Sequence, residues 1–194
     1  MLKKLFKHSG NAKSHQFYDR AGVTKEQFDA QWMPFTGNRE FKQNPRMIVA
    51  AEGLLPQAVA LDPDLLLGMP PAVTAATGID ALTHGIEAYI CVWDRGTRKE
   101  NARLAVQGVF QWLPKAMAEP DNREARLGMA LAAYHAGVAI NQVSVGNVHA
   151  IAHQLGARYG IPHGQANALA LPPVLKACVA EAESALAELA VVTD

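Results

Sequence analysis

Apolar positions along the chain fall into two regimes. Up to about residue 44 they are scattered aromatics, Phe6, Phe17, Tyr18, Phe28, Trp32 and Phe35, among Lys, Asn, Gly and Ser, with no sustained period. One short helix is predicted there, over 24–32: Thr24 caps it, Gln27 stands at the third position as in a capping box, and Pro34 and Gly37 end it. The remainder of 1–44 reads as a poorly organised N-terminal arm that packs weakly on the rest of the chain. From Met47 the pattern tightens. Residues 47–51 and 58–61, the second closed by Asp62-Pro63, read as short strands. Beyond them the apolar spacing turns to three and four, the period of an amphipathic helix. A turn of helix is predicted over 64–69, stopped by Pro70-Pro71. Helices are predicted over 72–89, 99–112 (stopped at Pro114), 122–143, 148–159 (ended by Gly160) and 164–190, the last with a break or kink at Pro172-Pro173. Their Ala- and Gly-rich faces allow close approach. The expected fold is therefore mainly α: a helical bundle over 45–194, with one or two short strands near 47–61.

Composition narrows the class. The chain has 194 residues, 49% of them hydrophobic and 19% charged, which excludes disorder of the whole and suits one domain with a small appendage. Eighteen basic residues balance 18 acidic ones, so no clustered positive surface for nucleic acid is expected. Residues 1–8 are basic but lead into no apolar stretch, and no run of about 18 apolar residues occurs, so neither a signal peptide nor a membrane partner is expected. Two cysteines, Cys91 and Cys178, lack metal-site spacing and point to a reduced, cytoplasmic compartment.

Histidine is the residue type that carries candidate chemistry. His84, His135, His149, His153 and His163 lie in the helical part. Asp80 and His84 are four apart, as are His149 and His153; on a helix such pairs share a face, about 5–6 Å apart at Cβ, within reach of one metal ion. His163 stands in Pro162-His163-Gly164, just before a helix. Structural alternatives exist: Thr77-Gly78-Ile79-Asp80 has the form of a capping box, and His84 or His135 can be a hydrogen-bonded core histidine. His149 and His153 sit among Ala and Ile, where uncompensated polar groups are costly. One carboxylate and three imidazoles without a thiolate suit Fe(II) or Zn(II) better than Ca or Mg. Ala150 follows His149, so the general-base Glu of an H-E-x-x-H metalloprotease is missing.

Asp80-Ala81-Leu82-Thr83-His84-Gly85-Ile86-Glu87-Ala88-Tyr89 resembles the first metal motif of the iron-containing (group III) alcohol dehydrogenases. His149-Ala150-Ile151-Ala152-His153-Gln154-Leu155-Gly156, with Pro162-His163-Gly164 and Ala166-Asn167-Ala168, resembles the second, and Pro70-Pro71, Ala75-Ala76-Thr77-Gly78 and Leu171-Pro172 also match. The resemblance implies the helical metal domain of a dehydroquinate-synthase-like enzyme that moves a hydride between a small-molecule alcohol or aldehyde and NAD or NADP. It further implies Asp80, His84, His149 and His163 as metal ligands for Fe(II), alternatively Zn(II). His153 is implied near nicotinamide and substrate, as proton relay, and Val73 near the cofactor. The chain has no G-x-G, so the nucleotide-gripping loop of that family is not in it. The expectation is a piece of such an enzyme, its nucleotide domain missing, forming a homo-oligomer or self-associating through an exposed apolar face. The alternatives are a non-catalytic helical metal-binding remnant and, third, a metal-dependent lyase or hydrolase on the same scaffold.

Overall fold

A computed structural model describes Pro56, residues 58–93 and residues 96–193. The chain divides into two compact units, Met1–Val59 and Ala60–Asp194. The expected arm, the 24–32 helix and the 47–51 strand lie outside the described residues. Residues 58–61 carry no regular secondary structure, in place of the expected strand, because no ladder partner lies beside them among the described residues.

The second unit opens with a 3-10 turn, Pro63–Leu66, whose entry is held by the Asp62 carboxylate accepting from the Asp64 N–H at 3.0 Å. Five helices follow: α1 Pro71–Ile90, α2 Arg98–Ala118, α3 Arg123–Asn141, α4 Asn147–Tyr159 and α5 His163–Ala190. Pro70 and Pro71 begin α1 as much as they stop the turn, since a proline at the first helical position forfeits no hydrogen bond. Asn122 caps α3 by accepting from the Ala125 N–H, and Gly160 ends α4 in the left-handed region at φ 69°.

Three predicted features are corrected. Pro114 does not stop α2, which runs on to Ala118. The proline is exposed, so water can serve the carbonyl it leaves unbonded. Pro172 and Pro173 do not break α5, which runs on as a 28-residue helix whose Leu171, Val174 and Leu175 join the core around them. The Thr77–Asp80 capping box is not formed: Asp80 lies in the third turn of α1, and Thr77 Oγ1 donates to the Val73 carbonyl instead.

Helix α1 is the hub. It packs against α2, α3 and α5; α2 packs on α3, and α4 on α5. The core is built largely from alanines, among them Ala88, Ala102, Ala105, Ala132, Ala136 and Ala139, with Val106, Val109 and Val148 between them. Small side chains bring helix axes close. At Gly164 a Cβ would overlap the Ala76 carbonyl oxygen, so the first turn of α5 lies directly on α1. Two buried arginines brace the ends of α1. Arg98 donates to the Ala88 and Tyr89 carbonyls, which the helix itself leaves unbonded. Arg126 donates to Thr74 Oγ1 at 2.8 Å and to the Pro120 carbonyl at 2.8 Å. No helix among the described residues is long and apolar enough to cross a membrane.

Candidate metal centre

Three helices meet at one focus. Asp80 projects from the middle of α1, His149 is the third residue of α4, and His163 is the first of α5, where the Gly164 contact sets it beside α1. One ligand atom from each of Asp80, His149 and His163 lies within 4.8 Å of the other two. Asp80 Oδ1 is 3.3 Å from both His149 Nε2 and His163 Nε2. His84, one turn after Asp80, lays its ring flat on that of His149, with centroids 4.3 Å apart and planes 3° from parallel. It is a neighbour of the trio through its ring face. His153 is one turn beyond His149; its ring stacks on His163 at 5.2 Å and meets His149 edge-on at 5.9 Å. Val73 is in the first turn of α1, half-exposed, about two turns before Asp80. His135 stands apart, its Nδ1 at 2.8 Å from Asn101 Oδ1.

The site has a sealed floor and an open side. The His149 side chain is 1% exposed, while those of Asp80 and His163 are 26% and 28% exposed. A small molecule therefore reaches the focus past Asp80 and His163.

Two residues complete the arrangement that sequence reasoning had left without a role. Glu87 is buried, and its carboxylate accepts from His149 Nδ1 at 2.6 Å, from the Gly146 N–H at 2.9 Å and from the Val148 N–H at 2.6 Å. Asn167, one turn after His163, is fully buried and turns its amide nitrogen into the focus, 2.6 Å from Asp80 Oδ1, 3.2 Å from His149 Nε2 and 3.4 Å from His163 Nε2. Both stand inside the two family-like motifs, and Glu87 lies seven residues after Asp80 on the same face of α1. That spacing was the available signal.

Charge is arranged around the rings. Burial opposes the charge of His149, but hydrogen bonds and charge from Asp80 and Glu87 outweigh it and hold the ring up at about 9. Burial pushes His84 down to about 4, against the pull of the Asp80 carboxylate. Burial likewise disfavours the charged form of Asp80; its hydrogen bond to His149 and the nearby His84 and His163 more than offset that and keep the carboxyl below its usual range. Glu87 is also held low: burial opposes its charge, and the hydrogen bonds from His149 and from the Gly146 and Val148 amides prevail.

A model of the Fe-containing alcohol dehydrogenase family, C-terminal, matches residues 74–193, which span Asp80, His84, Glu87, His149, His153, His163 and Asn167. The chain belongs to this family. Similar relatives include alcohol dehydrogenase 4 of Saccharomyces cerevisiae, 41% identical over 132 residues, and 1,3-propanediol dehydrogenase of Klebsiella pneumoniae, 43% identical over 131. Each match covers 68% of this chain; it covers 35% of the yeast protein and 34% of the Klebsiella one, so the chain spans about a third of the length of these relatives. Among solved structures, a 1,3-propanediol oxidoreductase aligns with a TM-score of 0.66 at 42% identity, over 68% of this chain and 35% of that one. Membership of the family agrees with the mainly helical architecture.

Proposed function

We propose that this chain is the metal-binding part of an NAD(P)-dependent alcohol dehydrogenase. The observation that carries the reading is the convergence of Asp80, His149 and His163, from three helices and more than eighty residues of sequence, on one focus. The donor set fits a divalent ion such as Fe(II) or Zn(II): two imidazole nitrogens and a carboxylate held below its usual pKa. The Asn167 amide supports the same fit. It donates to the Asp80 carboxylate and lies against both ring nitrogens, while its own buried Oδ1 goes without a hydrogen bond. His84 is proposed as the fourth ligand on the family-like motif alone: its ring lies parallel to that of His149, and its nitrogens are not among the converging atoms.

A metal bound there supplies Lewis acidity toward an alcohol or aldehyde oxygen, and a nicotinamide cofactor supplies the hydride chemistry. The chain's own residues do the rest. Asp80 and His163 flank the open side and orient the incoming oxygen. His153, stacked on His163, holds or passes on the hydroxyl proton. Val73, half-exposed at the start of α1, lines the approach of the cofactor. The two free thiols, Cys91 and Cys178, support a reducing, cytoplasmic setting, and exposed Ile151, Leu169 and Val179 on α4 and α5 support self-association.

The test is to purify the chain, load it with Fe(II) or Zn(II), and measure bound metal. About one ion per chain is expected, lost in Asp80→Ala and in His163→Ala; retention of metal by both variants rejects the site. A second reading, a helical metal binder without turnover of its own, is favoured by one fact: the proposed ligands lie wholly on α1, α4 and α5. Titration with NADH and NADPH separates the two.

A further inference from the structure

We infer that Glu87 is a positioning residue that decides which nitrogen of His149 faces the metal focus and ties that choice to the start of α4. The inference rests on the proposed metal site. His149 has a carboxylate at each ring nitrogen, and the two contacts differ. Asp80 Oδ1 is 3.3 Å from Nε2 and shares itself with Asn167 and His163. Glu87 Oε2 is 2.6 Å from Nδ1, and its carboxylate is pinned by two backbone N–H groups. A carboxylate only accepts, so when the ring gives up one proton to bind a metal, the shorter, fixed contact keeps the remaining one on Nδ1 and leaves the Nε2 lone pair for the focus.

The same carboxylate finishes the amino end of α4. Gly146, the N-cap, has no side chain with which to cap the helix, and the first N–H groups of any helix have no partner within it. Glu87, reaching from α1, accepts from Gly146 and Val148. Gly146 makes room for this: a Cβ there would stand 2.7 Å from Glu87 Oε1 and 2.9 Å from its Cδ. Its φ of −100° is open to any residue, so clearance for the carboxylate is what calls for glycine. One buried side chain thus sets helix register and imidazole tautomer together.

Glu87→Gln keeps the size but offers one acceptor and one donor to three N–H groups, so at least one of them meets an amide N–H. The folded variant is expected to bind Co(II) about 10–100-fold more weakly than the parent chain, with a shifted visible Co(II) absorption band. In the Zn(II)-loaded parent chain, long-range proton–nitrogen NMR is expected to show His149 with Nδ1 protonated and Nε2 on the metal; this measurement needs no variant. Equal Co(II) affinity and an unchanged band in a folded Glu87→Gln chain overturn the inference, as does Nδ1 as the metal-bound nitrogen in the parent. Either result leaves the metal reading standing. A parent chain that binds neither Co(II) nor Zn(II) rejects that reading and this inference with it.

Discussion

His84 and His149 lie face to face, yet their surroundings drive them in opposite directions: one ring is held neutral by burial, the other charged by two carboxylates. This opposition predicts the pH dependence of the metal-free chain. The folded pKa of His149, about 9, is above the 6.5 of the unfolded chain, so its contribution is fully present below 6.5 and is lost as pH rises toward 9. The folded pKa of His84, about 4, is below 6.5, so the unfolded chain takes up its proton first, and stability is lost as pH falls from 6.5 toward 4. The urea midpoint of the metal-free chain is expected to peak near pH 6.5 and decline on both sides. His149→Ala should remove the alkaline decline, and a midpoint that climbs steadily from pH 6 to 9 contradicts the assignment.

Helix faces decide what the elements can hold. Gly164 and Gly137 are both helical glycines, one pressed on the Ala76 backbone and the other with nothing near a would-be Cβ. Alanine at 137 should stabilise α3 by about 1 kcal/mol, the ordinary glycine-to-alanine gain in a helix. Alanine at 164 should reverse the sign and cost about 1–3 kcal/mol, because α5 must back away from α1. That retreat moves His163 from Asp80, so Gly164→Ala should also weaken metal binding, whereas Gly137→Ala should leave it unchanged. Urea unfolding and a Zn(II) titration of the two variants check both halves. The Gly160 turn was legible in the sequence because a left-handed cap after a periodic run is a local event. Pro114 misled for the complementary reason: a proline's local cost of about 3 kcal/mol is outweighed when the flanking residues bury into neighbouring helices, which no single segment reveals.

At the scale of the whole molecule, the ligands of the proposed site belong to helices that pack on one another, while the chain spans about a third of the length of its relatives. Hydride transfer needs a nicotinamide held about 3–3.5 Å from the reacting carbon. The 194-residue polypeptide alone is therefore expected to bind Zn(II) or Fe(II) without measurable oxidation of simple alcohols in the presence of NAD or NADP. Turnover by the isolated chain contradicts that. Phe110, Leu131 and Tyr134 are each more than two-fifths exposed on α2 and α3. With the apolar residues exposed on α4 and α5 they should make sedimentation concentration-dependent, and a monomer at all concentrations argues against self-association.

The sequence by itself determined what one helical period can encode. The three-and-four spacing of apolar residues marked all five helices to within a few residues at their starts, and the i, i+4 pairs Asp80/His84 and His149/His153 share a face because the backbone repeat requires it. Tertiary structure alone decided what crosses between helices. It set the His84 ring on His149, brought the Glu87 carboxylate to His149 Nδ1 across 62 positions, and turned the Asn167 amide toward Asp80 across 87. These contacts depend on how closely helix axes approach. That distance is fixed by clearances such as Gly164 against Ala76 and Gly146 against Glu87, which leave no mark on the local pattern of either segment.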